Sequence, residues 1–178
     1  MKDQSKLSGL LKSDLSRLYP SEKSGLLQLI RALLTQPGFV AVFLFRFQSR
    51  IYKSNLRKLA GVVRVFNMFL TGADFVPGCA IARGLIVTHP SGLVVGKGAR
   101  IGMNCTLSQG VTLGEKYITS SSGSGYPTIG SNCRIGAGAV LLGKIYIGDN
   151  SSVGANSVVL NNIPADSTAV GAPARILS

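Results

Sequence analysis

The chain contains a single histidine, His89, in the segment Thr88-His89-Pro90-Ser91-Gly92, and an aspartate, Asp74, stands 15 residues before it. An imidazole is the usual side chain for taking a proton from a hydroxyl near neutral pH, and it needs a partner that fixes its tautomer. Asp74 is the natural partner if the chain returns on itself about once every 18 residues, as short stacked repeats do. The three cysteines, Cys79, Cys105 and Cys133, form no CxxC pair. Their odd number and irregular spacing fit neither a disulfide framework nor a zinc site. A catalytic zinc needs three protein ligands, usually including several histidines, so one histidine speaks against a metal-dependent hydratase. The chemistry expected of these residues is metal-free proton abstraction from a hydroxyl.

What must position His89 is a repeat. Val95, Ile101, Leu107 and Leu113 recur every six residues, and after an interruption Ile129, Ile135, Leu141, Ile147, Val153 and Val159 keep the same spacing. Aliphatic anchors at a fixed short period mark a solenoid in which each coil buries its anchors against the coils above and below. Three hexads make one triangular coil. The residue two places before an anchor must also point inward, and those places hold Ala99, Cys105, Cys133, Ala139, Ser151 and Ser157, with Cys79 in the same phase before Ile81. The cysteines are therefore read as small buried groups.

Two places break the rhythm. Eight residues separate Val87 from Val95 in place of six, and this irregular turn contains His89. The second break, 115–128, reads EKYITSSSGSGYPT and is too rich in Ser and Gly to form part of a coil. It is expected to project outward, where solenoids build binding surfaces.

Before residue 73 the period is helical. Leu7, Leu10, Leu11, Leu15 and Leu18 line one face of a first helix. A second has its core at Leu26–Leu34, Pro37 suits the first turn of a third reaching about Tyr52, and Asn55 is placed to cap a fourth over Leu56–Leu70 that closes at Gly72. The expected organisation is a helical region over 1–72 followed by a β-solenoid over 73–178.

Charge follows the same division. Residues 1–72 hold 12 Lys and Arg against 3 acids, a net of +9 within a total of +12. Six of the seven Phe lie between 39 and 69. Basic amphipathic helices rich in Phe suit a peripheral contact with an anionic membrane, and equally a helical cap packed on the next domain or on another subunit. No zinc-finger, RNP or helix-turn-helix signature accompanies the charge, so nucleic acid is not the expected partner. The longest uncharged apolar window, Ala32–Phe45, is 14 residues and broken by Pro37, short of the roughly 20 needed to span a bilayer. The first twenty residues lack a signal peptide's apolar core, and a cytoplasmic chain with reduced thiols is expected.

Residues 37–178 resemble the serine O-acetyltransferase family. The resemblance rests on PGFVAVFLFRF at 37–47, Asp74 with its step to His89, THPSGLVVG at 88–96, QGVTLG at 109–114, YPTIG at 126–130, IGAGAVLLG at 135–143, VGANSVVL at 153–160 and GAPARIL at 171–177. It implies a left-handed parallel β-helix behind a helical region, acetyl-CoA as cosubstrate, and direct transfer to a hydroxyl deprotonated by His89 while Asp74 orients the ring. By the same similarity Gly114, Ala137 and Ala155 lie near the CoA, and the active unit is a homotrimer whose sites are shared between β-helices. The helical region is shorter than the family's, which would keep trimers from pairing into hexamers.

The departures concern the acceptor. Where these enzymes carry an Arg-His pair before the proline of the YPTIG region, this chain has Gly125 and Tyr126, and Thr88 replaces an Asp before His89. Glycine cannot grip a carboxylate as a guanidinium does. Tyr126 and Thr88 are accordingly assigned to the acceptor. The expected acceptor is a sugar hydroxyl in exopolysaccharide or capsule synthesis, with serine as the alternative; the hexads alone would also suit a structural β-helix without catalysis, against which the presence of both Asp74 and His89 argues.

Overall fold

The computed structural model describes residues 6–116 and 125–177. Four helices come first: α1 (Leu7–Leu18), α2 (Leu26–Thr35), α3 (Pro37–Lys53) and α4 (Arg57–Thr71). Pro37 opens α3, where its missing N–H costs nothing. Gly72 closes α4 in the left-handed conformation, φ 75°. The expected cap at Asn55 is not made. Asn55 takes φ 66° and donates its N–H to Tyr52 O at the end of α3, so it finishes one helix and leaves Leu56 to start the next without a side-chain cap. Asparagine tolerates that backbone region better than most residues, which is why the preceding helix claims it.

From Asp74 the chain winds into a left-handed parallel β-helix of short strands. One sheet stacks β1 (Asp74–Phe75), β4 (Val94–Val95), β7 (Thr112–Gly114), β10 (Val140–Leu142) and β13 (Val158–Val159). The second stacks β2 (Ala80–Ile81), β5 (Arg100–Ile101), β8 (Thr128–Ile129) and β11 (Tyr146–Ile147). The third stacks β3 (Ile86–Val87), β6 (Thr106–Leu107), β9 (Arg134–Ile135), β12 (Ser152–Val153) and β14 (Thr168–Gly171), with β15 (Ala174–Ile176) folded antiparallel onto β14. Each coil crosses the three sheets in turn.

All ten hexad anchors lie inside, between 0% and 3% exposed. Burial of each such side chain is worth about 1.5–3 kcal/mol before ordering costs. The small inward positions are equally buried, and their chemistry explains why several are Cys or Ser. The Cys105 thiol donates to Gly130 O, the Cys133 thiol to Gly148 O and Ser151 Oγ to Pro164 O. Each thus satisfies a carbonyl of the neighbouring coil. At the corner between the second and third sheets, Asn104, Asn132, Asn150 and Asp166 share a left-handed backbone, and Asn132 donates to Asn150 and Asn150 to Asp166 along the stack.

The first coil has no coil above it, so its outer carbonyls need other donors. The helices supply them. Gln48 donates to Phe75 O, Arg46 to Ile81 O and Ala82 O, and Arg17 to Gly84 O, while Phe45 stacks on Phe75 with ring centroids 4.9 Å apart. The first and third helices are in this sense a lid on the β-helix. α4 is built differently: only Ala60, Asn67 and Thr71 of it are buried, and Leu59, Val62, Val65, Phe66, Met68, Phe69 and Leu70 are exposed. Among the described residues no single helix is long and apolar enough to cross a membrane.

Candidate active site

His89 sits where β3 gives way to β4, at the corner between the third and first sheets. Eight residues separate the start of β3 from the start of β4, against six from β6 to β7 one coil below. The two extra residues make the corner bulge, and Thr88 and His89 are both exposed on it. Its base is nevertheless fixed. Thr88 N–H donates to Leu107 O, Gly92 N–H to Gly72 O, and Ser91 O accepts from Gly110 N–H. The first turn of α3 seals the other side, since a side chain at Gly38 would overlap the carbonyl group of Val87.

Asp74 opens β1, beside the same corner, and its carboxylate is held by Arg64 of α4. Arg64 Nε lies 2.6 Å from Oδ1 and Nη2 2.7 Å from Oδ2. The bond to Asp74 raises the Arg64 pKa further above its ordinary value, against the opposing effect of burial. Among the described residues no hydrogen bond reaches the His89 ring, so the expected contact from Asp74 is not the one formed. The carboxylate is engaged by the guanidinium fork, which uses one acceptor direction on each oxygen. The partnership with Arg64 escaped the sequence because it joins a helix to a strand across a helix end, and no periodicity marks such a pair.

Below His89 the corner continues as a staircase. Ser91, Gln109, Ala137 and Ala155 occupy equivalent positions in successive coils, linked by Gly110 N–H to Ser91 O, Gly138 N–H to Gln109 O and Asn156 N–H to Ala137 O. At roughly 4.8 Å per coil the run from Ser91 to Ala155 spans about 14 Å. Gln109 opens the QGVTLG segment, but its spacing alone marks it only by its hexad phase. Small side chains at Ala137 and Ala155 leave the backbone open to a thin, extended ligand along this edge.

The other two assigned positions lie elsewhere in the chain. Gly114 ends β7 at the corner between the first and second sheets, where its carbonyl accepts from Gly143 N–H. Tyr126 lies at that same corner, with its ring over Gly96 and Gly98, neither of which has room for a side chain. Partial burial and the neighbouring Glu115 push its phenol pKa up. Within one chain, therefore, Thr88, His89, Ala137 and Ala155 share one corner, and Gly114 and Tyr126 share the next. Of the segment 115–128, 117–124 lies outside the described residues, and Thr128 already belongs to β8. A separate cavity of about 630 Å³ lies between α1, α3 and the second sheet, lined by Leu7, Leu10, Phe45, Arg50, Arg100 and Ile129, none of which belongs to the His89 corner.

The comparisons with known proteins agree with this architecture. Residues 126–161 match the bacterial transferase hexapeptide model and residues 92–118 the hexapeptide repeat of succinyl-transferase. A serine acetyltransferase of Helicobacter pylori is 38% identical over 82% of this chain and 84% of its own length. One from Synechococcus elongatus is 37% identical over 89% of this chain, which spans only 62% of that longer relative. Among solved structures, Neisseria gonorrhoeae serine acetyltransferase in complex with serine superposes with a TM-score of 0.85 at 32% identity, covering 97% of this chain and 69% of that one. Serine acetyltransferase of Brucella abortus in complex with coenzyme A also gives 0.85 at 32% identity, covering 96% and 67%.

These findings correct the expected acceptor. The relatives are serine acetyltransferases, and a sugar hydroxyl of an exopolysaccharide or capsule is overturned in favour of the alternative. Gly125 and Tyr126 stand where the resemblance has an Arg-His pair, yet the similarity over the remaining chain stays with the serine enzymes. The chain belongs to the serine acetyltransferase family, O-acyltransferases built on hexapeptide repeats that draw their acyl group from acetyl-CoA.

Proposed function

We propose that this protein transfers the acetyl group of acetyl-CoA to the hydroxyl of serine, with His89 as general base. The observation that carries the reading is the chain's only imidazole, exposed on a bulged corner at the head of a staircase that narrows to the small side chains of Ala137 and Ala155. In the proposed step the serine hydroxyl gives its proton to the His89 ring as its oxygen attacks the thioester carbonyl. The tetrahedral oxyanion then collapses, the carbon–sulfur bond breaks, and the departing sulfur takes the proton from His89. No acyl-enzyme forms. Asp74, which opens β1 beside the same corner, takes up the imidazole N–H when the substrates are bound, orienting the ring and stabilising its charged form; among the described residues that contact is not made in the structure itself. The pantetheine arm follows the staircase past Ala137 and Ala155, and Thr88 and Tyr126 bound the acceptor.

Because Gly114 and Tyr126 lie one corner away from His89, the full set of assigned residues is brought together between neighbouring copies of the chain. A homotrimer meets that need, and the exposed apolar side of α4 supports assembly. We place the enzyme in the cytoplasm, where its thiols stay reduced. Light scattering on pure protein is expected to give three chain masses; a single mass, with binding to vesicles of anionic lipid, would assign the helical face to a membrane instead.

The decisive assay is release of CoA thiol from acetyl-CoA in the presence of L-serine. His89→Ala is expected to lower kcat by about 100-fold to 10,000-fold, the range of a positioned general base. Turnover on serine no faster than without acceptor would sink the proposal.

A further inference from the structure

We infer that Arg64 is a positioning residue for the reaction, acting through Asp74; the inference rests on the role proposed for His89. Three observations carry it. First, the contact is bidentate, with Nε and Nη2 each on one carboxylate oxygen at 2.6 and 2.7 Å. This fixes the carboxylate plane, where a single bond would leave it free to rotate. An ionised carboxylate offers about four acceptor directions. The fork takes two, so Asp74 retains one on each oxygen for an imidazole N–H.

Second, the pair is shielded, with side chains 35% and 17% exposed for Arg64 and Asp74. An ion pair in that setting keeps its charge and geometry better than one in open solvent. Third, the pair is not needed to attach the helix. α4 is already tied down by Asn67, which donates to Ala41 O, and by the backbone bond from Gly92 N–H to Gly72 O at its C-terminal cap. Asp74 is held in the sheet by its own N–H on Leu93 O. With both backbones anchored, what Arg64 adds is control of one carboxylate beside the bulged corner.

The test is a double-mutant cycle on the full chain with acetyl-CoA and L-serine. Arg64→Gln is expected to lower kcat by roughly 10-fold to 100-fold, as loss of an outer hydrogen-bond partner does at metal-bound histidines, while KM for acetyl-CoA moves less than about 2-fold. Arg64→Lys should recover part of the loss. In an Asp74→Asn background, Arg64→Gln should cost nothing more, because the residues act as one unit. Unchanged kcat in Arg64→Gln, or losses that multiply in the double variant, would overturn the inference. If Arg64→Gln fails to fold, the cycle is run with Arg64→Lys, whose single ammonium cannot make the bidentate contact. His89→Ala, measured alongside, separates the two failures: full activity there removes the proposed base, whereas an inactive His89→Ala beside an unaffected Arg64→Gln removes only the positioning role.

Discussion

Arg46 and Asp14 form an ion pair with side chains 2% and 0% exposed, Nε to Oδ2 at 2.9 Å and Nη2 to Oδ1 at 3.0 Å. It joins α3 to α1 and joins both to the first coil, since Asp14 also accepts from Leu85 N–H and Arg46 donates to Ile81 O and Ala82 O. Removing one partner strands the other charge in the interior, which costs about 3–5 kcal/mol. Asp14→Ala is therefore expected to lower the thermal midpoint by roughly 10 °C for a chain of this size. The measurement is a calorimetric scan, and a midpoint within about 2 °C of the parent would show that the pair contributes nothing net.

Gly38 sets the distance between α3 and the His89 corner. A methyl group there would overlap the Val87 carbonyl, so Gly38→Ala must push the helix or the corner aside. Overpacking of this kind costs about 1–3 kcal/mol, and misplacement of a base by about 1 Å can cost 100-fold in rate. Gly61→Ala, in α4, is the control, because nothing lies within 4 Å of the added methyl. It should stabilise by about 0.5–1 kcal/mol through helix propensity. Equal effects of the two substitutions on kcat would refute the packing argument.

The β-helix was legible because its rule is local: a buried aliphatic every six residues and a small inward residue two places before it, from Ala99–Ile101 to Ser157–Val159. The helices were legible by their period and by Pro37 and Gly72. Contacts between elements were not. Nothing in the spacing of Arg64 and Asp74 announces a fork across a helix end, and nothing in the YPTIG segment says that Tyr126 lies one corner away from His89. The acceptor is not legible from Gly125 and Tyr126, because two altered positions say less about it than the pattern of the remaining chain. The role of Asn55 is ambiguous in the sequence for a simpler reason: asparagine serves both helix starts and helix ends, and only the backbone distinguishes them.

Tyr126 is held by absence. Its ring covers Gly96 and Gly98, and a side chain at either would meet the ring. Gly98→Ala is expected to displace Tyr126 while leaving the buried anchors untouched, with little change in thermal midpoint. If Tyr126 bounds the acceptor, KM for serine should rise by about 10-fold or more, the effect of losing roughly 1.4 kcal/mol of binding, with KM for acetyl-CoA preserved. A rise in KM for acetyl-CoA alone would move Tyr126 to the cosubstrate.

The cysteines are predicted to be inert in the folded protein. Cys79, Cys105 and Cys133 are all buried, and burial pushes the Cys79 thiol from its ordinary 9.0 up to about 12. Only the thiolate is nucleophilic. At pH 8 a thiol reagent such as Ellman's should leave Cys79 unlabelled in the native chain, burial should keep it from Cys105 and Cys133, and all three should react in guanidinium chloride. Linkage gives a second consequence. The unfolded chain releases the Cys79 proton near pH 9 and the folded chain holds it to about pH 12, so the fold binds more protons in that window. Its contribution to stability is fully present below pH 9 and is lost as pH rises towards 12. Cys79→Ala should flatten that limb of a stability-against-pH curve; an unchanged limb, or native labelling at the rate of free cysteine, would show that the thiol is not shielded as its burial requires.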